Sequence, residues 1–385
     1  MARLGDICIQ ITDGSHNPPM GVEQSNYLML SSKNIDDDYI TLNDPRYLSQ
    51  EDFEAENRRT NIKPNDLLIT IVGTIGRVAI VPNSLTEFCV QRSVAVLKPK
   101  PEIVYNRFLM HYLQSMRPYL EQESRGVAQK GIYLKQLSNL SIILPPLDEQ
   151  RKIAAVLDKV SDLIAKRRQQ LDKLDEIVKS RFIEMFGDVI RNSKAWQMRV
   201  FEDVAASRLG KMLDAKQQTG KYSYPYLANF NVQWFRFNIE NLNQMDFDED
   251  DRAEFELKDG DLLVCEGGEI GRCAVWHNEI QPCFFQKALH RVRCNRQIIH
   301  PDYLAWWFKY NCDYDGFTAI AGSKATIAHL PGIKLKQLQV AVPPIELQEQ
   351  FATFVEQTDK SKLAIQKSLE KLEILKKSLM QKYFG

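Results

Sequence analysis

The fold is decided by Asn65-Asp66-Leu67-Leu68-Ile69 and the turn that follows it, Gly73-Thr74-Ile75-Gly76-Arg77. Both recur 195 residues later, as Gly260-Asp261-Leu262-Leu263-Val264 and Gly268-Glu269-Ile270-Gly271-Arg272. The same frame holds Gln91-Arg92 against Gln286-Lys287 and Phe108-Leu109 against Tyr303-Leu304. Upstream, Tyr27, Leu30 and Asn34 match Tyr224, Leu227 and Asn231 at an offset of 197. Downstream, Leu137-x-x-Leu140 and Pro145-Pro146 match Leu335-x-x-Leu338 and Pro343-Pro344 at 198, and the match runs on without a gap to Phe186-Gly187 and Phe384-Gly385. A drift of three residues over a half-chain is what a duplicated fold with small loop changes produces, so the chain is an internal repeat.

Each half has two parts. The first is mixed α/β. Asp66–Val72 and Asp261–Cys265 are apolar runs behind turn residues (Lys63-Pro64-Asn65 and Lys258-Asp259-Gly260), which predicts buried strands. Val78–Val81 and Ala274–Trp276 read as second strands after the Gly-x-x-Gly turn, and Ser93–Leu97 and Ala288–Val292 as third ones. Asn106–Ser115 and Asp302–Tyr310 carry apolar residues at helical spacing. The second part is a long helix behind each Pro-Pro, where proline is tolerated. Leu147 to Gly187 is 41 residues without proline or internal glycine, about 60 Å of helix at 1.5 Å per residue.

Alternating spacings of four and three pick out Ile153, Leu157, Val160, Ile164, Arg167, Leu171, Leu174, Val178, Arg181 and Met185, the stripe of a coiled-coil seam. The matching positions of the second helix are Phe351, Val355, Thr358, Lys362, Ile365, Leu369, Leu372, Lys376, Leu379 and Tyr383, a seam interrupted by two lysines. A helix of this length cannot satisfy a narrow apolar stripe alone, and the other helix of the chain is the natural partner. The domain boundaries that follow are 1–144 and 188–342 for the α/β parts, and 145–187 and 343–385 for the helices. Antiparallel packing of the helices as a coiled coil would separate the two globular parts and relate them by a pseudo-twofold axis.

Composition fits an ordinary globular protein: 385 residues, 44% hydrophobic, 26% charged. That excludes a disordered or collagenous chain. No apolar run approaches the roughly 18 residues of a spanning helix, and Met1–Asp6 has no apolar signal region. The seven cysteines form no Cys-x-x-Cys pair, and the odd count argues against a disulfide framework. The expected compartment is the cytoplasm. Fifty Lys and Arg balance fifty Asp and Glu, so any nucleic-acid binding has to come from local basic patches. The acid concentrated in Asp36-Asp37-Asp38 and in the segment Asp246–Glu256 is expected to face away from such a ligand.

No catalytic constellation emerges. Asn17-Pro18-Pro19-Met20 resembles the loop of amino-methyltransferases but has Met at its fourth position and no glycine-rich loop before it. Gly316 to Gly322-Ser323-Lys324 has one residue too many for a phosphate-binding loop. Asp261 and Glu266 lack the lysine of a nuclease metal site, Gly268 standing in its place. The six histidines show no metal-ligand spacing, and there is no Gly-x-Ser-x-Gly elbow.

Two similar units held by paired helices suit the reading of two places on one long ligand, and duplex DNA repeats about every 34–36 Å. At this point the sequence resembles the specificity subunit of type I restriction-modification systems. The resemblance rests on Asp13-Gly14-Ser15-His16-Asn17-Pro18-Pro19, the Gly-x-Ile-Gly-Arg turns at 73–77 and 268–272, and Gln91-Arg92-Ser93. It extends to the Leu-x-x-Leu…Pro-Pro passages leading into Glu149-Gln150 and Glu349-Gln350, and to the Phe-Gly closing each helix. It spans nearly the whole chain, in the order recognition domain, conserved helix, recognition domain, conserved helix. The second half has Arg208-Leu209-Gly210-Lys211 where the first has its Asp-Gly-Ser-His stretch.

The resemblance implies a DNA-reading subunit without catalysis of its own. It would join two methyltransferase subunits and then motor-nuclease subunits, and choose an asymmetric bipartite site in double-stranded DNA. S-adenosylmethionine, ATP and magnesium would belong to those partners, and this chain would bind no cofactor or metal. The alternatives are a specificity module of another DNA modification or defence system, and a coiled-coil scaffold that does not bind DNA.

Phosphate contacts call for cations, polar side chains and glycine-exposed backbone. The first-half candidates are Ser15, His16, Asn17, Ser32, Lys33, Arg77, Arg92, Gln129 and Lys130. Those of the second half are Lys211, Asn229, Arg236, Arg272, Lys287, Ser323, Lys324 and Thr326. Arg77 and Arg272 recur in both halves, so they suit phosphate contact or a structural cap on the sheet rather than base reading. The aromatics Trp234, Phe235 and Phe237 suit stacking in the space left by an extruded base, but such a cluster is more often core. Apolar residues off the seam, Val156, Leu163, Ile177 and Phe182 with Phe354, Leu363, Ile374 and Leu375, leave faces for partner helices. Among them Leu163, Ile177, Leu363 and Leu375 are the docking candidates.

Overall fold

A computed structural model describes residues 1–124, 131–214, 218–317 and 329–385. The candidates Gln129, Lys130, Ser323, Lys324 and Thr326 lie outside the described residues. The chain is mixed α/β and divides into two compact units, Met1–Gln169 with Ile365–Gly385, and Gln170–Ala364.

In the first unit the strands β1 (Cys8–Asp13), β2 (Tyr27–Leu30), β3 (Arg46–Leu48), β4 (Leu67–Thr70), β5 (Val78–Ile80), β6 (Phe88–Val90) and β7 (Val94–Pro99) form two sheets. One is antiparallel in the order β1-β7-β4-β5. The other has the order β3-β2-β6, with β2 and β6 parallel. Among the helices that accompany them are α1 (Gln50–Thr60), α2 (Asn106–Ser115) and α3 (Arg117–Glu123). The apolar run at 66–72 forms a strand only over its middle. At its start, Asp66 Oδ2 accepts the Lys63 N–H at 2.8 Å and closes the turn. At its end, Gly73 and Gly76 take φ of 82° and 81°, a left-handed backbone that a side chain would strain.

The second unit repeats this plan. Strands β8 (Ala205–Leu209), β9 (Ser223–Leu227), β10 (Asn243–Asp246), β11 (Leu262–Cys265), β12 (Cys273–Val275), β13 (Phe284–Phe285) and β14 (Leu289–Cys294) pair in the orders β8-β14-β11-β12 and β10-β9-β13. Again only the last pair, β9 with β13, is parallel. Helix α4 (Glu249–Phe255) stands where α1 stands in the first unit, and α5 (Pro301–Asp313) where α2 stands. Gly268 and Gly271 take φ of 78° and 79°. Asp261 accepts the Lys258 N–H at 2.8 Å and pairs with Arg293 at 2.7 Å, so it ties the turn to a strand.

The long helices run Leu147–Phe186 and Ile345–Phe384. Gly187 ends the first with φ 72°, its N–H on the Ile183 carbonyl at 2.8 Å. Ile153, Leu157, Val160, Ile164, Val178, Phe351 and Leu369 are buried. Leu171, Leu174, Val355, Ile365, Leu372 and Leu379 are half-buried. In the first unit Ile153, Ala154 and Leu157 share a core with Phe108, Leu113 and Phe384. In the second, Val178, Phe182 and Phe186 share one with Phe351, Tyr303 and Phe308.

Two sequence expectations change here. Phe182 is buried against Phe186 and Phe351, with ring centroids 5.0 and 5.5 Å away, so it leaves no spare apolar face; Phe354 also packs on that core. The helix-entry motif is likewise placed differently. Gln150 is fully buried, donating to the Pro145 and Ile103 carbonyls at 2.8 and 3.2 Å and accepting the Tyr105 N–H at 2.8 Å. Its structural counterpart is Gln348, which makes the same bonds to Pro343, Ile298 and His300 at 2.8, 3.1 and 2.8 Å. Gln350, singled out by its Glu-Gln spelling, does not hold that position.

Candidate nucleic-acid interface

The candidate residues gather at the ends of the sheets, on loops that the strands hold at close quarters. In the first unit β1 runs into Gly14, where a Cβ would stand 1.9 Å from the Val90 carbonyl oxygen, so only glycine fits. Ser15 then pairs with Gln91: its N–H donates to Val90 O and its carbonyl accepts the Arg92 N–H, both at 2.9 Å. The Gln91 N–H donates to Leu30 O at 2.9 Å, which brings in the turn carrying Ser32 and Lys33. Asn34 closes that turn by accepting the Ser31 N–H at 3.0 Å and donating to Asn43 O at 2.9 Å. The Ser32 N–H reaches Ser93 Oγ at 3.1 Å, and Thr74 Oγ1 donates to Ser32 O at 3.4 Å. Ser15, Ser32, Arg92 and the Gly73–Arg77 turn thus form one cluster.

The second unit builds the same cluster from other side chains. Gly210 would place a Cβ 2.3 Å from Gln286 O, and Lys211 takes the position of Ser15. The Lys211 N–H donates to Phe285 O at 3.2 Å, its carbonyl accepts the Lys287 N–H at 2.9 Å, and the Gln286 N–H donates to Leu227 O at 3.1 Å. Asn229 stands where Ser32 stands, its amide donating to Gly267 O at 3.0 Å. The two entry stretches look unrelated by spelling, yet Gly14 and Gly210 do the same work. Their offset of 196 falls within the drift of the repeat frame, the signal in the sequence that matches them.

The clusters differ in how they are held. In the first, Arg59 from α1 donates to Asp13 O, Asp13 Oδ1 and Gly14 O at 2.6, 2.9 and 2.7 Å, and His16 lies 2.7 Å from Asp13 Oδ2. In the second the charges are exchanged. The cations Lys211 and Arg208 sit on the strand side and pair with Asp251 and Glu254 of α4. The acidic segment Asp246–Glu256 is therefore partly consumed by its own unit. Asp36, Asp37 and Asp38 are also engaged, with Arg77, Arg117 and Lys376 respectively. Neither acidic run is a bare face turned to solvent.

Several candidate cations are already partnered. Arg77 lies 3.4 Å from Asp36, and Arg272 donates to the Asn229 carbonyl at 3.1 Å and faces Glu269 at 3.4 Å. Lys211 also donates to the Asp246 carbonyl at 2.8 Å. Lys33 pairs with Asp44 at 2.5 Å and holds that carboxyl below the usual carboxylate range. His16, Asn17, Arg92, Arg236 and Lys287 are exposed. Trp234 is half-buried and donates to Glu269 at 2.6 Å, and Phe235 stacks on Trp306 at 4.5 Å. All seven cysteines are unpaired thiols. Burial pushes Cys8, Cys89 and Cys283 up to about 12, and Cys273 up as well, which leaves them protonated and poorly nucleophilic.

One loop frame thus occurs twice, with an exposed cation in each, Arg92 in the first and Lys287 in the second. The chain belongs to the type I restriction modification DNA specificity domain family, whose model matches residues 24–176 and 193–376. It is similar to the EcoBI specificity subunit of Escherichia coli, with 35% identity over 128 residues, 33% of this chain and 27% of that protein. It thus spans about a quarter of that relative's length. It is also similar to the EcoKI specificity subunit of Escherichia coli K12, with 21% identity over 311 residues, 75% of this chain and 67% of the relative. In fold it matches a type I restriction-modification S subunit from M. genitalium at TM-score 0.55, with 16% identity and coverage of 100% of this chain and 95% of that one.

Proposed function

We propose that the chain is the DNA sequence-recognition subunit of a type I restriction-modification complex, with no catalytic site of its own. The domains 1–144 and 188–342 each read one half of an asymmetric bipartite site in double-stranded DNA. The helices 145–187 and 343–385 pack as an antiparallel coiled coil, set the half-site spacing and dock two methyltransferase subunits. Motor-nuclease subunits complete the assembly, and S-adenosylmethionine, ATP and magnesium serve those partners. It works in the cytoplasm of a bacterium or archaeon; no helix among the described residues is long and apolar enough to cross a membrane.

One observation carries this reading: the same backbone frame recurs with Ser15, Ser32 and Arg92 in one unit and Lys211, Asn229 and Lys287 in the other. A constant frame with changed side chains is what two different half-sites require. Arg92, Lys287, Arg236, His16 and Asn17, all exposed, are the residues proposed to contact phosphates or base edges. Arg77, Arg272 and Lys211, being partnered, hold the loops and lend charge to the phosphates. Antiparallel pairing is supported within each unit. Arg168 pairs with Glu373 at 2.8 Å while Ile153 and Leu157 share a core with Phe384. Lys362 pairs with Asp175 at 2.6 Å while Phe182 packs on Phe351. Leu163, Ile177, Leu363 and Leu375 remain exposed for docking.

The test is base-resolution methylation mapping in cells carrying this chain with the methyltransferase of its own system, supported by a duplex-DNA shift that weakens steeply with salt. Charged substitutions at Leu163 and Leu375 abolish co-purification with methyltransferase and leave the chain folded; retained co-purification contradicts the docking surface. Lengthening both helices by equal whole heptads increases the spacer and leaves both half-sites unchanged. Altered half-sites would contradict the spacing role.

A further inference from the structure

The seam of the second long helix carries a lysine, Lys376, at the position matched in the repeat by the fully buried Val178. A cation there would cost stability unless it found a partner. Its partner is Asp38, 3.2 Å from the ammonium, in the loop that also carries Ser32 and Lys33. Asp38 accepts Gln114 Nε2 from α2 at 3.0 Å and has a left-handed backbone, φ 72°. Its neighbours reach on toward the Gly73–Arg77 turn. Asp37 accepts from Arg117, which in turn donates to Gly76 O at 3.2 Å, and Asp36 faces Arg77 at 3.4 Å. Three consecutive carboxylates therefore tie two loops of the first cluster to the end of a long helix. Asp37, Asp38, Arg117 and Lys376 line a cavity of about 1120 Å3. The Lys376 and Asp38 side chains are largely buried beside it, 18% and 26% exposed, so the pair is screened only in part and fixes the direction of the loop.

Resting on the DNA-reading function proposed above, we propose that Lys376, through Asp38, is a positioning residue for the first half-site. It sets the loops bearing Ser32, Lys33 and Arg77 and has no part in the second. The test compares methylation motifs of complexes carrying the natural chain, Lys376→Met, Asp38→Asn and Lys376→Arg. Lys376→Met keeps the apolar stem, and Lys376→Arg keeps the charge. Lys376→Met and Asp38→Asn lower discrimination against single-base changes in the first half-site about fivefold, the scale of one part-exposed ion pair. The second half-site stays unchanged, and Lys376→Arg restores the first. A natural motif that survives Lys376→Met in both halves, or that relaxes equally in both, overturns the positioning role. A natural complex without any bipartite motif overturns the DNA-reading function itself and the positioning role with it.

Discussion

The places where the two long helices meet the recognition domains use opposite chemistry on matching backbone. In the first unit His111 of α2 is fully buried and bonds Asp158 of the long helix at 2.7 Å, Arg107 chelates the same carboxylate at 2.7 Å, and Asp38 takes Lys376. In the second unit Trp306 replaces His111, Phe235 replaces Asp38 with the same left-handed backbone (φ 61°), and Val178 replaces Lys376. There Phe235 stacks on Trp306, and Phe182 lies 6.1 Å from the same indole. The polar joint depends on direction and water; the aromatic one depends on area and packing. A duplicated fold can therefore keep its geometry while exchanging the forces that maintain it.

Loss of a phenylalanine ring from either joint should have the largest effect. Phe186→Ala removes a side chain touching Phe182, Tyr303 and Phe351 and should cost about 4 kcal/mol. Phe384→Ala, at the matching position on the cavity wall, should cost about 3 kcal/mol, because one side already lacks neighbours. Urea unfolding followed by hydrogen exchange in each unit separates the two. Tryptophan fluorescence helps, since all five tryptophans (196, 234, 276, 306 and 307) lie in the second unit. Equal costs would mean that the joints are packed alike.

Trp306→His imports the first unit's residue without its acid, for Glu356, the counterpart of Asp158, is exposed and pairs with Lys360. Leaving an imidazole beside Phe235 and Phe351 should cost about 2–3 kcal/mol, and a loss below about 0.5 would show the aromatic joint to be dispensable.

A smaller effect is expected from acid. Burial pushes the Asp158 carboxyl up, but the hydrogen bonds from His111 and Arg107 outweigh it and hold it below the usual range. Asp38 is likewise pushed up by burial and held down by Lys376 and Gln114. A depressed carboxyl stabilises the fold above its unfolded value, near 3.9, and loses that contribution as pH falls through the folded value. The stability difference between the natural chain and Asp158→Asn should therefore stay near 1 kcal/mol from pH 7 to pH 5, after allowance for solvent screening, and fade below about pH 4. A difference that shrinks between pH 7 and pH 5 would contradict the assignment. Smallest of all, 1 M salt should loosen the Lys376–Asp38 tie by about 0.5 kcal/mol and leave the Phe235–Trp306 stack in place. Exchange rates at Asp38 and Phe235 report each directly.

The repeat frame, the two long helices and the positions of the Gly-x-x-Gly turns were legible because they are local: periodicity, proline punctuation and glycine placement can all be read from neighbours in the chain. The partners were not. Arg59 meets Asp13 across 46 residues and Lys376 meets Asp38 across 338, and such ion pairs leave no periodic trace. That is why Asp36-Asp37-Asp38 reads as an exposed acidic run in sequence and is a fastening in the fold. Val178 and Lys376 occupy matching seam positions, but only the fold shows that the lysine turns to the recognition domain. The equivalence of Gly14 with Gly210 was hidden by the residues that follow each.

Base-resolution methylation mapping in cells carrying this chain with its methyltransferase tests separate reading by the two units most directly. The two unlike clusters predict one bipartite motif with two different half-sites and a fixed spacer, and Arg92→Ala should weaken methylation without altering the second half-site. A continuous motif, or a perfectly palindromic one, would contradict the claim that the two units read separately.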